Sequence, residues 1–74
     1  MKLVIVTPAK STTIDEVDMV NIPGSEGNFT VLRNHAPLVS ATRKGVIRCN
    51  EQEIEVEGGI VEVGNNIIRI VTDK

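Results

Sequence analysis

The sequence predicts an antiparallel all-β domain, built as two packed sheets or a flattened barrel, and three observations carry that expectation. The first is the kind of apolar residue: eleven valines and nine isoleucines stand against one phenylalanine and no tryptophan or tyrosine. β-Branched side chains lose rotamer freedom in helices and pack well on a pleated sheet. The second is punctuation. Short apolar runs recur at intervals of roughly 8–10 residues between glycine, proline and asparagine turns, the spacing of a sandwich or barrel. The third is that no window offers a capping residue followed by an apolar i, i+3, i+4 pattern, so no substantial helix is expected.

The elements follow in order. Leu3–Val6 is the first strand, stopped by Pro8, which has no N–H to give a ladder. Thr12–Val17 and Met19–Ile22 come next and end at Pro23-Gly24. Pro23-Gly24 and Glu26-Gly27 are read as turns, because proline presets φ and glycine accepts positive φ. Phe29–Leu32 is a short strand, followed by a loop through Asn34, His35, Ala36 and Pro37. Leu38–Thr42 leads into a tight turn at Arg43-Lys44-Gly45, and Val46–Cys49 runs into Asn50-Glu51. Glu53–Glu57 alternates polar and apolar strictly, the mark of a strand with one wet face. Gly58-Gly59, the strand Ile60–Val63, the turn Gly64-Asn65-Asn66 and the strand Ile67–Val71 complete a closing hairpin. Pro23, Gly24, Pro37, Gly45, Gly58 and Gly59 are thus the structural turn positions, and about nine or ten short strands are expected in all.

Bulk properties narrow the class. A chain of 74 residues, 41% hydrophobic and 24% charged, is one globular domain spanning 1–74 rather than a disordered segment. The single Cys49 excludes an internal disulfide and fits a reducing compartment. The net charge is −2, with both signs interleaved, and there is neither a basic patch nor an aromatic stacking platform. Nucleic acid is therefore not an expected partner. Lys2–Val6 is too short for a signal-peptide core, and no run approaches the roughly 20 apolar residues of a membrane span, so no direct membrane insertion is expected.

Catalytic chemistry finds little to work with. Ser25, Ser40 and Cys49 are the conceivable nucleophiles and His35 the only imidazole base, but no nucleophile-elbow pattern frames them. One histidine and scattered carboxylates lack the ligand spacing of a zinc or calcium site, so no metal is expected. Gly24-Ser25-Glu26-Gly27 lacks the Lys-Ser/Thr of a phosphate loop and places Glu26 where an anion would sit. What remains is protein binding through the Gly24–Leu38 region. Residue by residue, the plainer account is that Gly24, Gly27 and Pro37 shape turns while Phe29 and Leu32 fill the core.

Taken together, the same residues resemble a known family. Pro23-Gly24-Ser25-Glu26-Gly27, then Val31-Leu32, then His35-Ala36-Pro37-Leu38 is similar to the signature of the epsilon subunit of rotary ATP synthases. Leu3–Pro8, Gly45–Arg48 and Gly58–Val63 extend the likeness along essentially the whole chain. The resemblance implies a flattened antiparallel β-sandwich of two packed sheets and a non-catalytic place in the central stalk. Partners would be the γ subunit and the ring of c subunits, with no cofactor and no ATP site in this domain. The location implied is peripheral, on the cytoplasmic face of a bacterial inner membrane or the equivalent organelle face. Matching positions make Glu26, Gly27 and Asn28 the ring contact, and His35, Leu38, Val39 and Ser40, with Thr7 nearby, the γ contact. The alternative is a free-standing β-sandwich that binds another partner.

Three positions depart from the family pattern. Asn28 stands where members often carry a carboxylate, so a neutral hydrogen bond is expected there. Thr30 replaces a frequent glycine and suits a strand. Arg33-Asn34 replaces a frequent Pro-Gly, and Asn34 can take the left-handed conformation that such a turn needs. The sequence stops at Lys74, before the helical hairpin with which the family commonly continues. A chain that ends there is expected to couple and assemble without hairpin-mediated restraint of hydrolysis.

Overall fold

The computed structural model describes residues 1–73. It contains nine strands: β1 (Lys2–Val6), β2 (Ser11–Ile14), β3 (Met19–Gly24), β4 (Gly27–Leu32), β5 (Leu38–Thr42), β6 (Gly45–Cys49), β7 (Gln52–Val56), β8 (Gly59–Gly64) and β9 (Ile67–Thr72). No helix occurs among the described residues. The strands form one continuous sheet in the order β2-β1-β9-β8-β5-β3-β6-β7, with β4 on the other edge of β3.

That sheet folds over at β3. Its first part pairs with β6 through Val20 and Asn21, and its last residue, Gly24, pairs with Thr42 of β5. Two backbone hydrogen bonds brace the corner, from Ser25 N–H to the Ala41 carbonyl (3.0 Å) and from Arg43 N–H to the Pro23 carbonyl (2.9 Å). The result is two layers, β2-β1-β9-β8-β5 and β4-β3-β6-β7. Leu3, Ile5, Val61, Val63, Ile68 and Ile70 face inward from the first layer; Val20, Ile22, Val31, Ile47, Cys49 and Val56 face inward from the second. Val17, in the connection between β2 and β3, completes this single buried cluster. Burial alternates residue by residue along β9, as a pleated strand with one core face requires.

The expected all-β fold is present, and several details differ. β1 and β9 run parallel, with Val4 opposite Arg69, because they lie at opposite ends of the described chain and no short connection constrains their direction. β2 stops at Ile14 rather than Val17: Glu16 adopts φ 57°, which turns the chain and lets Val17 drop into the core. Pro23 and Gly24 are not a turn. They close β3 opposite Asn28 and Gly27, and the two-residue turn is Ser25-Glu26. Gly24 is required by close approach instead, since a Cβ there would lie 2.8 Å from Phe29 Cε1 and 2.7 Å from the Gly27 carbonyl oxygen. Gly45 likewise opens β6 against the Pro23 ring, its Cβ position falling 2.9 Å from Pro23 Cβ.

The turn between β8 and β9 matches its reading. Asn65 and Asn66 have φ of 50° and 62° between the paired Gly64 and Ile67, the doubly positive pattern of a type I′ hairpin turn. Gly58 and Gly59, read as a turn, instead carry the chain from β7 into β8, which Gly59 opens opposite Thr42 and Thr72; their φ values of 121° and 155° lie outside the comfortable range of other residues. A Cβ at Gly59 would also fall 1.9 Å from the Val71 carbonyl oxygen. Pro37 lies exposed in the loop before β5.

Candidate functional site

β4 and β5 carry the candidate residues to opposite ends of the domain. β4 leaves the Ser25-Glu26 turn and arrives at the His35 loop six residues later, a span of roughly 17–20 Å. β5 returns from that loop to the corner at Gly24. Glu26, Gly27 and Asn28 are therefore exposed at one end, and His35 at the other.

The Glu26 end is built from two connections pressed together. Gly27 adopts φ 132° with open space where a Cβ would stand, so conformation rather than crowding calls for glycine there. Asn28 Oδ1 accepts a hydrogen bond from Nη2 of Arg43, which lies in the connection between β5 and β6. The neutral hydrogen bond expected of Asn28 is thus available, but within this chain it is spent on Arg43. Thr30 sits in the strand and its hydroxyl accepts from the Asn21 amide at 3.2 Å.

At the far end, Asn34 has φ 61°, the left-handed conformation its side chain tolerates. Its N–H donates to Asn66 Oδ1 at 3.0 Å, tying the loop to the turn between β8 and β9. His35 N–H donates to the Leu32 carbonyl at 3.2 Å, and His35 Nδ1 lies 2.6 Å from the Ala36 carbonyl oxygen. An Nδ1–H donating there leaves Nε2 as the ring nitrogen free to face a partner. Arg33 pairs with Asp18 at 3.3 Å, both well exposed.

Along β5 the candidates part company. Leu38 and Ser40 point toward the interior, Leu38 packing on the core, whereas Val39 points out and is 69% exposed. Register extends the outward face from Val39 to Glu62 and Arg69, and from Ala41 to Ile60 and Val71. Ile60 and Val71 are also about half exposed. A shallow groove of about 400 Å3 beside the His35 loop is lined by Pro37, Val39, Glu62 and Arg69 among others. Sequence reasoning did not find Ile60 and Val71, because only the register places them beside Ala41, on the same face as Val39. The period-two exposure of Ile60–Val63 was a usable signal.

Thr7 does not join this surface. Its N–H and hydroxyl both bond the Lys10 carbonyl (2.8 and 3.1 Å) in the turn between β1 and β2, at the end of the first layer away from His35. It lines a separate cleft with Ile5 and Ile54, where the outer strands of the two layers face each other. Leu32, read as a core residue, is 55% exposed, because it follows the buried Val31 and so faces outward; Phe29 does pack on the core.

The candidate nucleophiles are not assembled with His35. Ser25 sits at the other end of β4, the Ser40 hydroxyl donates to the Ala41 carbonyl at 3.1 Å, and Cys49 is buried. Burial raises the Cys49 thiol above its ordinary pKa, which disfavours the reactive thiolate. Among the described residues, no group of three or more His, Cys, Asp or Glu side chains could hold a metal, and no helix is long and apolar enough to cross a membrane.

The fold defines a small β-sandwich that presents its candidate residues at the two ends of β4 and β5. The chain belongs to the family described as ATP synthase, Delta/Epsilon chain, beta-sandwich domain, whose profile matches residues 1–74. It is 42% identical over 77 residues to the ATP synthase epsilon chain of Leptospira interrogans, covering 99% of this chain and 61% of that one. It is 42% identical over 73 residues to an ATP synthase epsilon chain of Rhodopseudomonas palustris, covering 93% and 54%. The chain thus spans a little over half the length of these relatives.

Solved structures share the fold. One is a chain from the central stalk/c-ring structure of the Tetrahymena thermophila mitochondrial ATP synthase, with a TM-score of 0.83 at 15% identity over 99% of this chain and 63% of that one. Another is from the OSCP/F1/c-ring structure of the Euglena gracilis mitochondrial ATP synthase, with a TM-score of 0.84 at 20% identity over 97% and 49%.

Proposed function

We propose that this chain is the β-sandwich part of an epsilon-type central-stalk subunit, non-catalytic itself, which links the γ subunit to the c-ring of a rotary ATP synthase. The observation that carries the reading is the placement of its two candidate surfaces at opposite ends of the same strands, β4 and β5. Two strands rooted in one hydrophobic core transmit torque between their ends with little deformation, because close-packed interiors yield poorly to strain. Such a part helps couple ion flow to ATP synthesis by holding two other subunits in register, and it needs no catalytic group.

In this reading the Glu26–Asn28 turn meets the polar loops of the ring. The γ subunit covers His35 and the outward face of the first layer, from Val39 near the His35 end toward Ile60 and Val71, while Leu38 and Ser40 support Val39 from inside. A row of half-exposed aliphatic side chains around Glu62 and Arg69 suits an interface with an apolar centre and polar rim. The protein would sit peripherally on the cytoplasmic face of a bacterial inner membrane, held there through the complex.

Formation of a γ complex tests the proposal. The chain and γ should co-elute at micromolar concentration, with a matching rise in thermal stability by mass action. Two folded partners that remain separate at that concentration would favour a free-standing binding domain instead.

A further inference from the structure

The end of the domain that carries Glu26 also carries a cation with unused donors. Arg43 is fixed at its backbone by the 2.9 Å bond from its N–H to the Pro23 carbonyl, and at its tip by Asn28 Oδ1. A guanidinium offers five N–H donors in a planar fork, and Asn28 occupies one of its nitrogens. The exposed ion pairs of the described residues engage Lys2, Arg33 and Arg48; among the described residues, neither Arg43 nor its neighbour Lys44 has a carboxylate within ion-pair distance. Asn28 therefore aims the fork without neutralising it. A carboxylate in that position would aim it equally well and consume its charge.

We propose that Arg43, aimed by Asn28, is the residue by which this end recognises its partner, and that the partner loop presents a carboxylate to it. This rests on the reading that the Glu26–Asn28 turn faces the ring. The planar fork matches a carboxylate bidentately, giving orientation as well as attraction. Glu26 stands at the same end of the domain with the opposite sign, so a loop carrying its acid toward Arg43 and away from Glu26 docks in one orientation only. Arg43 is a specificity-determining residue in this account, and Asn28 a positioning residue.

The test measures binding of the chain to a detergent-solubilised assembly of γ and c-ring at low and high salt. Wild type is compared with Arg43→Gln, Arg43→Glu, Asn28→Asp and Lys44→Gln. Arg43→Gln is expected to weaken binding about tenfold at low salt, with the difference shrinking as salt rises. Asn28→Asp should weaken it in the same direction by occupying the fork, and Lys44→Gln should weaken it less. Changing the matching ring-loop carboxylate to lysine should restore binding of Arg43→Glu. If Arg43→Gln and Arg43→Glu bind the assembly as tightly as wild type, the recognition role of Arg43 is wrong while the ring-facing reading stands. If all variants bind γ alone as tightly as they bind the full assembly, the ring-facing reading itself fails. Urea midpoints of the variants, all at exposed positions, report whether folding contributes.

Discussion

Gly24 and Thr42 form the one cross-strand pair that joins the two layers of the sandwich among the described residues. That corner lies beside the Ser25-Glu26 turn, at the Glu26 end of β4 and β5. The Gly24 hydrogen faces the Phe29 ring there, leaving no room for a methyl group.

Gly24→Ala should therefore destabilise the domain by about 1–3 kcal/mol, through overpacking against Phe29 and the Gly27 carbonyl. Gly59→Ala should cost more, since its methyl would meet the Val71 carbonyl at a φ that alanine disfavours. Gly27→Ala meets no neighbour and suffers only the conformational penalty. Urea denaturation midpoints should rank the three as Gly59, then Gly24, then Gly27.

Asn66 holds two turns at once: its own φ is 62° and its side chain accepts from Asn34 N–H. Asn66→Ala is expected to cost about 1–2 kcal/mol. Amide exchange should also quicken at Asn34 and His35, although neither residue is changed. Exchange that quickens only between Gly64 and Ile67 would show that the two turns are independent.

Cys49 links stability to alkaline pH. Burial raises its pKa in the folded state, so the native thiol keeps its proton where the unfolded one loses it. That contribution is complete below the unfolded thiol's value of roughly 8.5 and is lost as pH rises through the folded value. There is no tyrosine to titrate in the same window. Denaturation midpoints should fall as pH rises above about 8.5, and Cys49→Ala should flatten that part of the curve.

Neighbours on β5 should behave in opposite ways. Leu38→Asp places a charge against the core and should cost about 2–4 kcal/mol of stability. Val39→Asp falls on a largely exposed position and should leave stability within about 0.5 kcal/mol. In the proposed role, Val39→Asp should nevertheless weaken γ binding at least about tenfold, which titration calorimetry reads directly.

Much of this was legible from residue types alone. The alternation at Glu53–Glu57 marked a strand with a wet face, and Glu53, Glu55 and Val56 are exposed, exposed and buried as it requires. Asn65-Asn66 marked a tight hairpin because few other residues take paired positive φ cheaply. What local chemistry could not supply was the fold-over at β3. Nor could it supply the parallel match of β1 with β9, or the placing of Thr7 at the end of the first layer away from His35. Those outcomes depend on which strands meet across the core, and that information is nonlocal. The same limit hid Ile60 and Val71, ordinary β residues until register sets them beside Ala41 on the face that carries Val39.

Two-point proximity labelling tests the central claim most directly. Glu26→Cys and His35→Cys, each carrying a photoactivatable maleimide, would be assembled separately into the complex with γ and the c-ring. The native Cys49 is buried and should not react in the folded chain. The account predicts that the probe at position 26 labels a c subunit and the probe at position 35 labels γ. Both probes labelling the same subunit, or the two labels exchanged, would contradict it.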